Sequence, residues 1–291
     1  MSPRNDAPDL FAPSASEPPD TDAGVPAVDG IRVGVGGWTF APWRRNFYPD
    51  GLVQRRELEY ASRRLSAIEI NGTYYGSQKP ETYARWAAET PPGFVFSAKA
   101  PKRIMQSRVL AGTGGQIDDF LGGIVALGDR LGPIVWQFDS NRRLDRDDFA
   151  AFLQRLPATV DGHRLRHVLD VRDPTFVDGD YLVLVRRHGM ATVFADSDDY
   201  PSFADITGDF VYARLMRSQA DIATGYPAAS LDRWAERAHA WAAGDEPVDL
   251  PRIEPAARAT GKPREAFIFF ISAAKERNPA AAMALIDRLR R

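Results

Sequence analysis

The sequence predicts one α/β domain built as an eight-stranded parallel (β/α)8 barrel. Two observations predict this fold. Eight short segments rich in Val, Ile, Leu and Phe recur along the chain, and segments with helical periodicity separate most of them. The length of 291 residues, less a short tail, is also typical of one such barrel. Eight strands that alternate with helices fit a closed TIM-type barrel better than an open doubly wound sheet.

The elements follow from composition and spacing. Residues 1–29 are rich in Pro, Asp, Ala and Ser and predict a disordered tail, which leaves the barrel to residues 30–291. The predicted strands cover 31–37, 67–71, 94–99, 133–138, 167–172, 191–196, 210–216 and 266–272. Apolar residues at helical spacing predict helices over 117–131, 149–156, 231–238 and 282–289.

Two connections depart from the regular pattern. Pro201 and a polar run leave little room for a helix over 197–209, so an irregular connection is predicted between strands six and seven. A mobile loop rich in proline and charge is predicted over 244–265, before the last strand.

The composition limits the function classes. The net charge of −2 provides no overall basic field for nucleic acid or an anionic membrane. The absence of cysteine excludes disulfides, cysteine-ligated zinc, iron–sulfur clusters and thiol nucleophiles, and it fits a cytoplasmic location. No apolar run approaches the roughly 20 residues that cross a bilayer, so no membrane association is expected.

Polar residues collect near the carboxyl ends of the predicted strands. In such barrels these ends form the active face. Alternation along strands two and three turns Glu69, Asn71 and Lys99 toward the barrel axis. The same logic brings to the mouth Gln137, Asp170, Arg172, Asp196, Arg214 and Ser272. Ion pairs such as Asp170 with Arg172 or Glu69 with Lys99 could be purely structural. Burying so many charges for stability alone is costly, however, so the set predicts a site.

Four motifs resemble a known family. They are the run Gly-Gly-Trp-Thr-Phe-Ala-Pro-Trp at 36–43 with Phe-Tyr-Pro at 47–49, Ala-Ile-Glu-Ile-Asn-Gly-Thr-Tyr-Tyr at 67–75, residues 86–101, and Leu-Gly-Pro leading to Gln at 131–137. They resemble the YecE-like family, domain of unknown function 72, over nearly everything after residue 30.

This resemblance implies a β/α barrel and a bacterial cytosolic protein, but no established reaction. The family's hallmark positions fall here on Trp38, Trp43, Tyr48, Glu69, Asn71, Tyr75, Lys99 and Gln137. The chain departs from the family pattern in two places. Met216-Arg217-Ser218 stands where a His-Gly is expected after strand seven, and Ile271-Ser272 stands where an Asn pair is expected after strand eight.

Glu69 and Lys99 are the candidate catalytic residues. A lysine at an apolar barrel mouth can have a pKa near neutrality, which suits proton transfer with a neighbouring carboxylate. Lys99 could also form a Schiff base with a carbonyl substrate. It could instead pair with an anionic substrate, which is the interpretation we favour, or form a structural ion pair.

The loop after strand eight predicts a second anion-binding feature. Lys275, Arg277 and Asn278 precede Pro279, which suits the first position of the final helix, with Asn278 as its cap. Barrels often bind phosphate near their seventh and eighth loops at a helix N-terminus. A solvated, capped helix start explains the same residues equally well.

Aromatic residues cluster after the first strand. Trp38, Trp43 and Tyr48, together with Phe40 and Phe47, could stack on bases or a sugar. They could also form a hydrophobic plug over the barrel, which is the favoured interpretation.

Metal and nucleotide-cofactor sites are not expected. The four histidines, His163, His167, His188 and His239, avoid the carboxyl ends of the strands. The acidic run Asp196, Asp198 and Asp199 is interpreted as a solvated loop rather than a magnesium site. The glycines at 33–37 resemble a dinucleotide loop, but Trp38, Pro42 and Trp43 stand where its helix would begin.

The leading hypothesis is therefore an enzyme for a small anionic or phosphorylated metabolite, working without a redox cofactor. Its substrate would contact Trp38, Trp43, Tyr48, Asn71, Tyr75, Gln137, Asp170, Arg172, Asp196 and Arg214. One alternative is a non-catalytic protein that binds nucleic acid or a nucleotide through the aromatic loop and nearby arginines. A second is a metal-dependent hydrolase that uses Glu69, Asp170 and Asp196.

Overall fold

The structure is a computed structural model that describes residues 24–255 and 261–291. Most of the disordered tail predicted over 1–29 lies outside these residues. The described part of that segment contacts the barrel, because Val28 forms an antiparallel bridge with Ile31 and packs with Val25 against the core. The predicted loop over 244–265 is described as far as residue 255, where it contains no helix or strand, and residues 256–260 lie outside the description.

Eight parallel strands form a closed barrel in which each strand pairs with the next and the last pairs with the first. They are β1 (Ile31–Gly36), β2 (Ala67–Ile70), β3 (Val95–Lys99), β4 (Leu131–Phe138), β5 (His167–Val171), β6 (Ala191–Asp196), β7 (Phe210–Leu215) and β8 (Glu265–Phe270). The predicted (β/α)8 barrel is confirmed, with strand ends within one or two residues of their predicted positions. A short hairpin of Thr159–Val160 and His163–Arg164, which the sequence did not predict, precedes β5.

Helices surround the barrel. The α-helices are α1 (Glu57–Ser62), α2 (Pro80–Ala88), α3 (Lys102–Met105), α4 (Gly114–Ile124), α5 (Arg146–Arg155), α6 (Gly179–Arg187), α7 (Ala228–Ala242) and α8 (Asn278–Leu289). Shorter 3-10 helices cover Ala41–Arg45, Gln54–Arg56, Gly72–Tyr74, Leu110–Thr113, Val125–Arg130, Pro174–Phe176 and Lys275–Arg277.

The connection between β6 and β7 contains no helix, as predicted. Phe203 and Ala204 are buried there and cover the side of the barrel that a helix would otherwise cover. Asp205 accepts hydrogen bonds from the backbone N–H groups of Ile253 (2.8 Å) and Glu254 (3.0 Å). The backbone N–H of Ala204 donates to the carbonyl of Pro251 at 2.8 Å, so this connection and the loop before β8 supply each other's hydrogen-bond partners.

The barrel interior changes from apolar to polar along its axis. The apolar layers contain Ala67, Val95, Val135, Val168, Ala191, Val193, Phe210, Tyr212, Phe267 and Phe269. Polar side chains follow toward the carboxyl ends of the strands. In β3, Phe96 and Ala98 pack outward in the main core, whereas Ser97 and Lys99 point inward, which confirms the predicted alternation.

The glycines of β1 allow close approach between strands. A Cβ atom at Gly34 would lie 2.1 Å from the carbonyl oxygen of Ala67 in β2, and one at Gly36 would lie 2.8 Å from Nδ2 of Asn71. This run of glycines therefore has a packing explanation in a barrel strand.

We predict that Gly34→Ala destabilises the protein by about 1–3 kcal/mol, because the Cβ atom would meet backbone that cannot move freely. The measurement is urea unfolding followed by tryptophan fluorescence. Gly122→Ala is the matched control, since Gly122 lies exposed in α4 with open space around it. This substitution should stabilise the protein by about 0.5–1 kcal/mol, because alanine favours the helix more than glycine does. Equal effects of the two substitutions would contradict the close-approach explanation.

Candidate functional site

A buried arginine organises the polar end of the barrel. Arg214 projects inward from β7 with 1% of its side chain exposed. It donates two hydrogen bonds from Nη2 and one from Nε to the carboxylate of Glu69 on β2, at 2.7–3.0 Å. Its Nη1 donates to Oδ2 of Asp170 on β5 at 2.6 Å. One guanidinium thus joins three strands across the barrel axis.

The two carboxylates have different surroundings. Burial alone would raise the pKa of Asp170, but the charges of Arg214, Arg172 and Lys99 outweigh burial and hold it below its usual range. Arg172, just after β5, donates from Nε to Oδ2 of Asp170 at 3.0 Å. Glu69 is completely buried and also accepts a hydrogen bond from the hydroxyl of Tyr212 at 2.6 Å.

Tyr212 extends the network below Arg214. Its hydroxyl lies 2.8 Å from Oγ of Ser97, which donates to the backbone carbonyl of Pro133. Burial and the neighbouring Glu69 carboxylate raise the pKa of Tyr212, so this phenol stays protonated and donates. The network therefore surrounds the Glu69 carboxylate with hydrogen-bond donors from Arg214 and Tyr212 beneath the mouth.

Lys99 ends β3 beside this network but does not join it. Its side-chain amine lies 4.2 Å from the ring centre of Tyr74 and, among the described residues, has no hydrogen bond or ion pair. Burial, followed by the charge of Arg214, lowers the pKa of Lys99 to about 8, although Glu69 and Asp170 partly oppose this shift.

A cavity of about 440 Å³ opens above Arg214 at the carboxyl ends of the strands. Its lining residues are Gly36, Asn71, Tyr74, Tyr75, Lys99, Gln137, Arg172, Arg214, Ile271, Ser272, Lys275 and Asn278. Two of these residues, Gln137 and Asn278, each have a buried amide oxygen that lacks a hydrogen-bond partner among the described residues. Both oxygen atoms are covered by protein, so the charged groups that the cavity wall presents are the lysines and arginines.

Eight of the predicted site residues line this cavity: Asn71, Tyr75, Lys99, Gln137, Arg172, Arg214, Lys275 and Asn278. Glu69 and Asp170 do not line it but lie beneath it, bonded to Arg214. The expected pairing of Glu69 with Lys99 is replaced by pairing with Arg214, because the guanidinium offers a bidentate partner at the same depth. The geometry does not favour direct contact between Glu69 and a ligand.

The aromatic loop after β1 lies outside the cavity. Trp43 and Tyr48 are buried, and Trp38 packs edge-on against Trp86 of α2 at 5.0 Å. The expectation that Trp38, Trp43 and Tyr48 contact substrate is therefore not met by their positions, because packing against the helices hides their faces. Trp43 contributes indirectly, since its Nε1 donates to the backbone carbonyl of Lys275 at 2.8 Å.

Asp196 also departs from its predicted position. It was expected in the barrel mouth, but Ala195 pairs with Arg214 and occupies the inward position of β6, so alternation turns Asp196 outward. Asp196 lines a separate cavity of about 230 Å³ with Arg217 and Trp234. Burial raises its pKa, and the ion pair with Arg217 only partly offsets this effect.

The loop after β8 differs from its prediction in two respects. Asn278 is the first residue of α8 rather than its cap, and its Nδ2 donates to the carbonyl of Ser272 at 3.3 Å. Arg277 points away from the cavity and donates to the carbonyl of Ala220. Only Lys275 and Asn278 of the predicted anion-binding trio therefore face the cavity.

Ser272 reaches the cavity through an unusual backbone rather than through strand alternation. Ile271 packs against the inner core, and the next two residues, Ser272 and Ala273, have positive φ angles of 61° and 46°. This left-handed conformation is strained for residues other than glycine and is often found at functional sites. It redirects the chain so that Ser272 lines the cavity.

The candidate site residues named from the sequence do not include Tyr212, Ser97 or Tyr74. Alternation in β3 does turn Ser97 inward, but nothing in the sequence marks it as part of the network. Tyr212 lies two residues before the predicted inward residue Arg214, so the same alternation could have found it. Tyr74 lies in the 3-10 helix after β2, and no periodic signal indicates which way such a residue points.

The sequence predicts no histidine at the carboxyl ends of the strands and no metal site. His167 is buried at the start of β5, where Nδ1 accepts a hydrogen bond from Nε1 of Trp136 at 3.0 Å. Burial lowers its pKa, so it stays neutral. Across residues 24–255 and 261–291, no group of three or more His, Cys, Asp or Glu residues could hold a metal ion.

The fold and the cavity together define a TIM-barrel protein with a cationic, polar cavity at the carboxyl ends of its strands. A family model described as "Protein of unknown function DUF72" matches residues 32–291. The chain belongs to this family, and the resemblance noted in the sequence is confirmed. No helix in the described part of the chain is long and apolar enough to span a bilayer.

Several solved structures share this fold, and two of them are DUF72 family proteins. A DUF72 family protein from Thermotoga maritima MSB8 is 17% identical, with a TM-score of 0.64 over 89% of this chain and 97% of that chain. One from Enterococcus faecalis V583 is 14% identical, with a TM-score of 0.63 over 89% and 96%. SacUVDE is 13% identical, with a TM-score of 0.51 over 89% and 98%. These likenesses concern the fold alone. No curated protein matches the sequence.

We predict that Arg214→Met destabilises the protein by about 3–5 kcal/mol, because Glu69 and Asp170 would stay buried without their partner. Urea unfolding measures the change. The matched control is Arg187→Met, since Arg187 is exposed on α6, and it should change the free energy of unfolding by less than about 0.5 kcal/mol. A mild effect at Arg214 would show that the network contributes little to stability.

We also predict a specific pH dependence for Lys99. Its pKa in the folded protein is about 8, against 10.5 for an ordinary lysine, so between these values the unfolded chain binds more protons. Wild-type stability should therefore rise with pH relative to Lys99→Met, by about 3 kcal/mol in total between pH 8 and 10.5. Below pH 8 the difference between the two proteins should be constant. Parallel stability curves across this range would contradict the lowered pKa.

Proposed function

We propose that this protein binds a small anionic metabolite, such as a phosphorylated one, in the 440 Å³ cavity and converts it by proton transfer at Lys99. The observation that carries the proposal is the charge of the cavity wall. Four cationic side chains line it, namely Lys99, Arg172, Arg214 and Lys275. Among residues 24–255 and 261–291, the carboxylates that contact these four side chains are Glu69 and Asp170. The four positive charges and two negative charges leave two positive charges for a ligand to neutralise.

Two of the cations have free capacity for an anion. Arg172 uses Nε and Nη2 toward Asp170, and its Nη1 has no partner among the described residues. Lys99 offers an unpaired amine. Charge-assisted hydrogen bonds from such groups to carboxylate or phosphate oxygens are among the stronger polar interactions in proteins.

The dimensions of the cavity favour a metabolite. A volume of about 440 Å³ lies within the range of roughly 300–1,000 Å³ that is usual for small-molecule sites. The site also lies at the face where barrel enzymes bind their substrates. The lack of cysteine fits a role in a reducing compartment such as the cytoplasm.

The geometry favours neither alternative function. The aromatic loop that would stack on nucleic-acid bases is largely buried, with Trp43 fully covered. The carboxylates that would serve a metal-dependent hydrolase are bonded to arginines, and Asp196 lies in a different cavity from the one above Glu69 and Asp170.

We predict that small anions raise the melting temperature of the wild type, because they bind only the folded chain. An anion at a hundredfold excess over its Kd should add about 2.7 kcal/mol to the free energy of unfolding. The probes are inorganic phosphate, glycerol 3-phosphate, citrate and, as a neutral control, glycerol. Arg172→Met and Lys99→Met should lose the shift. Lys79→Met, which removes an exposed lysine at the start of α2, should keep it.

The same measurement separates the rival functions. A shift by short oligonucleotides alone would favour the nucleic-acid alternative, and a shift by divalent metals alone would favour the hydrolase. The proposal is wrong if none of the anions shifts the wild type, or if Arg172→Met responds as the wild type does.

A further inference from the structure

Lys99 is largely buried, but its side-chain amine is open to the cavity and unpaired. The residue is 9% exposed, its amine faces the cavity, and among the described residues it has no hydrogen bond or ion pair. The amine is therefore free to contact a molecule bound in the cavity. The carboxylates that would normally pair with such a lysine are both bonded to Arg214 instead. The network thus leaves Lys99 with its nitrogen lone pair accessible whenever the amine is neutral.

We propose that Lys99 forms a Schiff base with a small anionic aldehyde or ketone bound in this cavity. This inference rests on the proposed function, because the same cavity must first bind the anion. It adds the substrate class, which is a carbonyl compound with a carboxylate or phosphate group. It also replaces proton transfer by Lys99 with nucleophilic attack by the same amine.

The step balances without an oxidant or reductant. The neutral amine attacks the carbonyl carbon, a C–N bond forms, and a proton passes from nitrogen to oxygen to give a carbinolamine. The C–O bond then breaks, and the hydroxyl leaves with one further proton as water. The net reaction converts the ammonium and the carbonyl compound into a protonated imine and one water molecule, so the positive charge on Lys99 is preserved.

The surroundings of Lys99 favour this chemistry in three ways. Burial and Arg214 lower its pKa to about 8, so that roughly a tenth of the amine is neutral at pH 7. The amine is open to the cavity and has no acceptor among the described residues, so it is free to approach the carbonyl carbon of a bound compound. Arg172 lines the same cavity, and its Nη1, which has no partner among the described residues, can hold the anionic group of the carbonyl compound.

Lys275 lines the same cavity but is a poorer nucleophile. Burial lowers its pKa too, but its amine lies near two aromatic rings, 4.6 Å from the ring centre of Phe40 and 5.8 Å from that of Trp43, whereas Lys99 contacts only the ring of Tyr74 among the described residues. It is also less buried than Lys99, and it lies in a 3-10 helix rather than at a strand end. The arginines that would hold the anionic group, Arg172 and Arg214, lie beside Lys99 and act on its titration.

The experiment is reductive trapping. Wild-type protein is incubated with pyruvate or dihydroxyacetone phosphate and cyanoborohydride, and peptide mass spectrometry then locates the modified lysine. The chain has only five lysines, so Lys79, Lys99, Lys102, Lys262 and Lys275 can all be followed. We expect a mass gain equal to the compound less one oxygen atom, at least tenfold greater at Lys99 than at exposed Lys79.

A conservative variant and non-carbonyl anions separate this inference from the proposed function. Lys99→Arg keeps the positive charge but has no nucleophilic amine at neutral pH, so it should lose trapping while retaining thermal stabilisation by phosphate. Lactate and glycerol 3-phosphate match the two carbonyl probes in charge and should bind without being trapped. The Lys79→Arg variant is the control, and its Lys99 should be trapped to the same extent as in the wild type.

Each result decides the matter. The inference is supported if Lys99 is trapped and excess glycerol 3-phosphate suppresses this trapping. Thermal stabilisation by both carbonyl probes without trapping at Lys99, or trapping at Lys275 instead, overturns the Schiff base and leaves anion binding intact. If none of the four anions stabilises the wild type and no lysine is trapped selectively, the inference and the proposed function are both wrong.

Discussion

The guanidinium of Arg214 is the interaction on which the rest of the site depends. It makes four hydrogen bonds to two carboxylates and so ties β2, β5 and β7 together inside the barrel. Below it the interior is filled mainly by aliphatic and aromatic side chains, and above it lies the cavity. Because a buried charge needs partners, Glu69 and Asp170 are committed to Arg214, and they are not available to Lys99.

This commitment determines the electrostatics of the cavity. Asp170 also orients Arg172, whose guanidinium lies 4.3 Å from the ring centre of Tyr200. Burial opposes a charge on Lys99, and the positive charges of Arg214 and, less strongly, Arg172 add to that effect. One buried network therefore supplies the cations that would hold an anion and also lowers the pKa of the amine that would act on it.

The opposite wall of the cavity depends on the aromatic loop. Trp43 is fully buried and holds the backbone of Lys275 through its indole N–H, while Phe40 lies under the lysine amine. These aromatic residues contact Lys275 on the side away from the cavity and so fix the position of this part of the wall. The two departures from the family pattern lie near the mouth but differ in position, because Ser272 lines the cavity and Arg217 pairs with Asp196 and Asp198 beside the smaller one.

The sequence by itself determined the barrel, the order of its strands and most of the polar residues at its mouth. Periodicity carries this information, since alternation shows which residues of β2 and β3 point inward. The tertiary structure alone decided which residues pair. Sequence spacing does not show that Arg214 takes both Glu69 and Asp170, that Asp196 turns outward, or that the aromatic loop packs behind the site. Those outcomes depend on the shear of the closed barrel and on competition among charges for partners, and both bring together residues far apart in the chain.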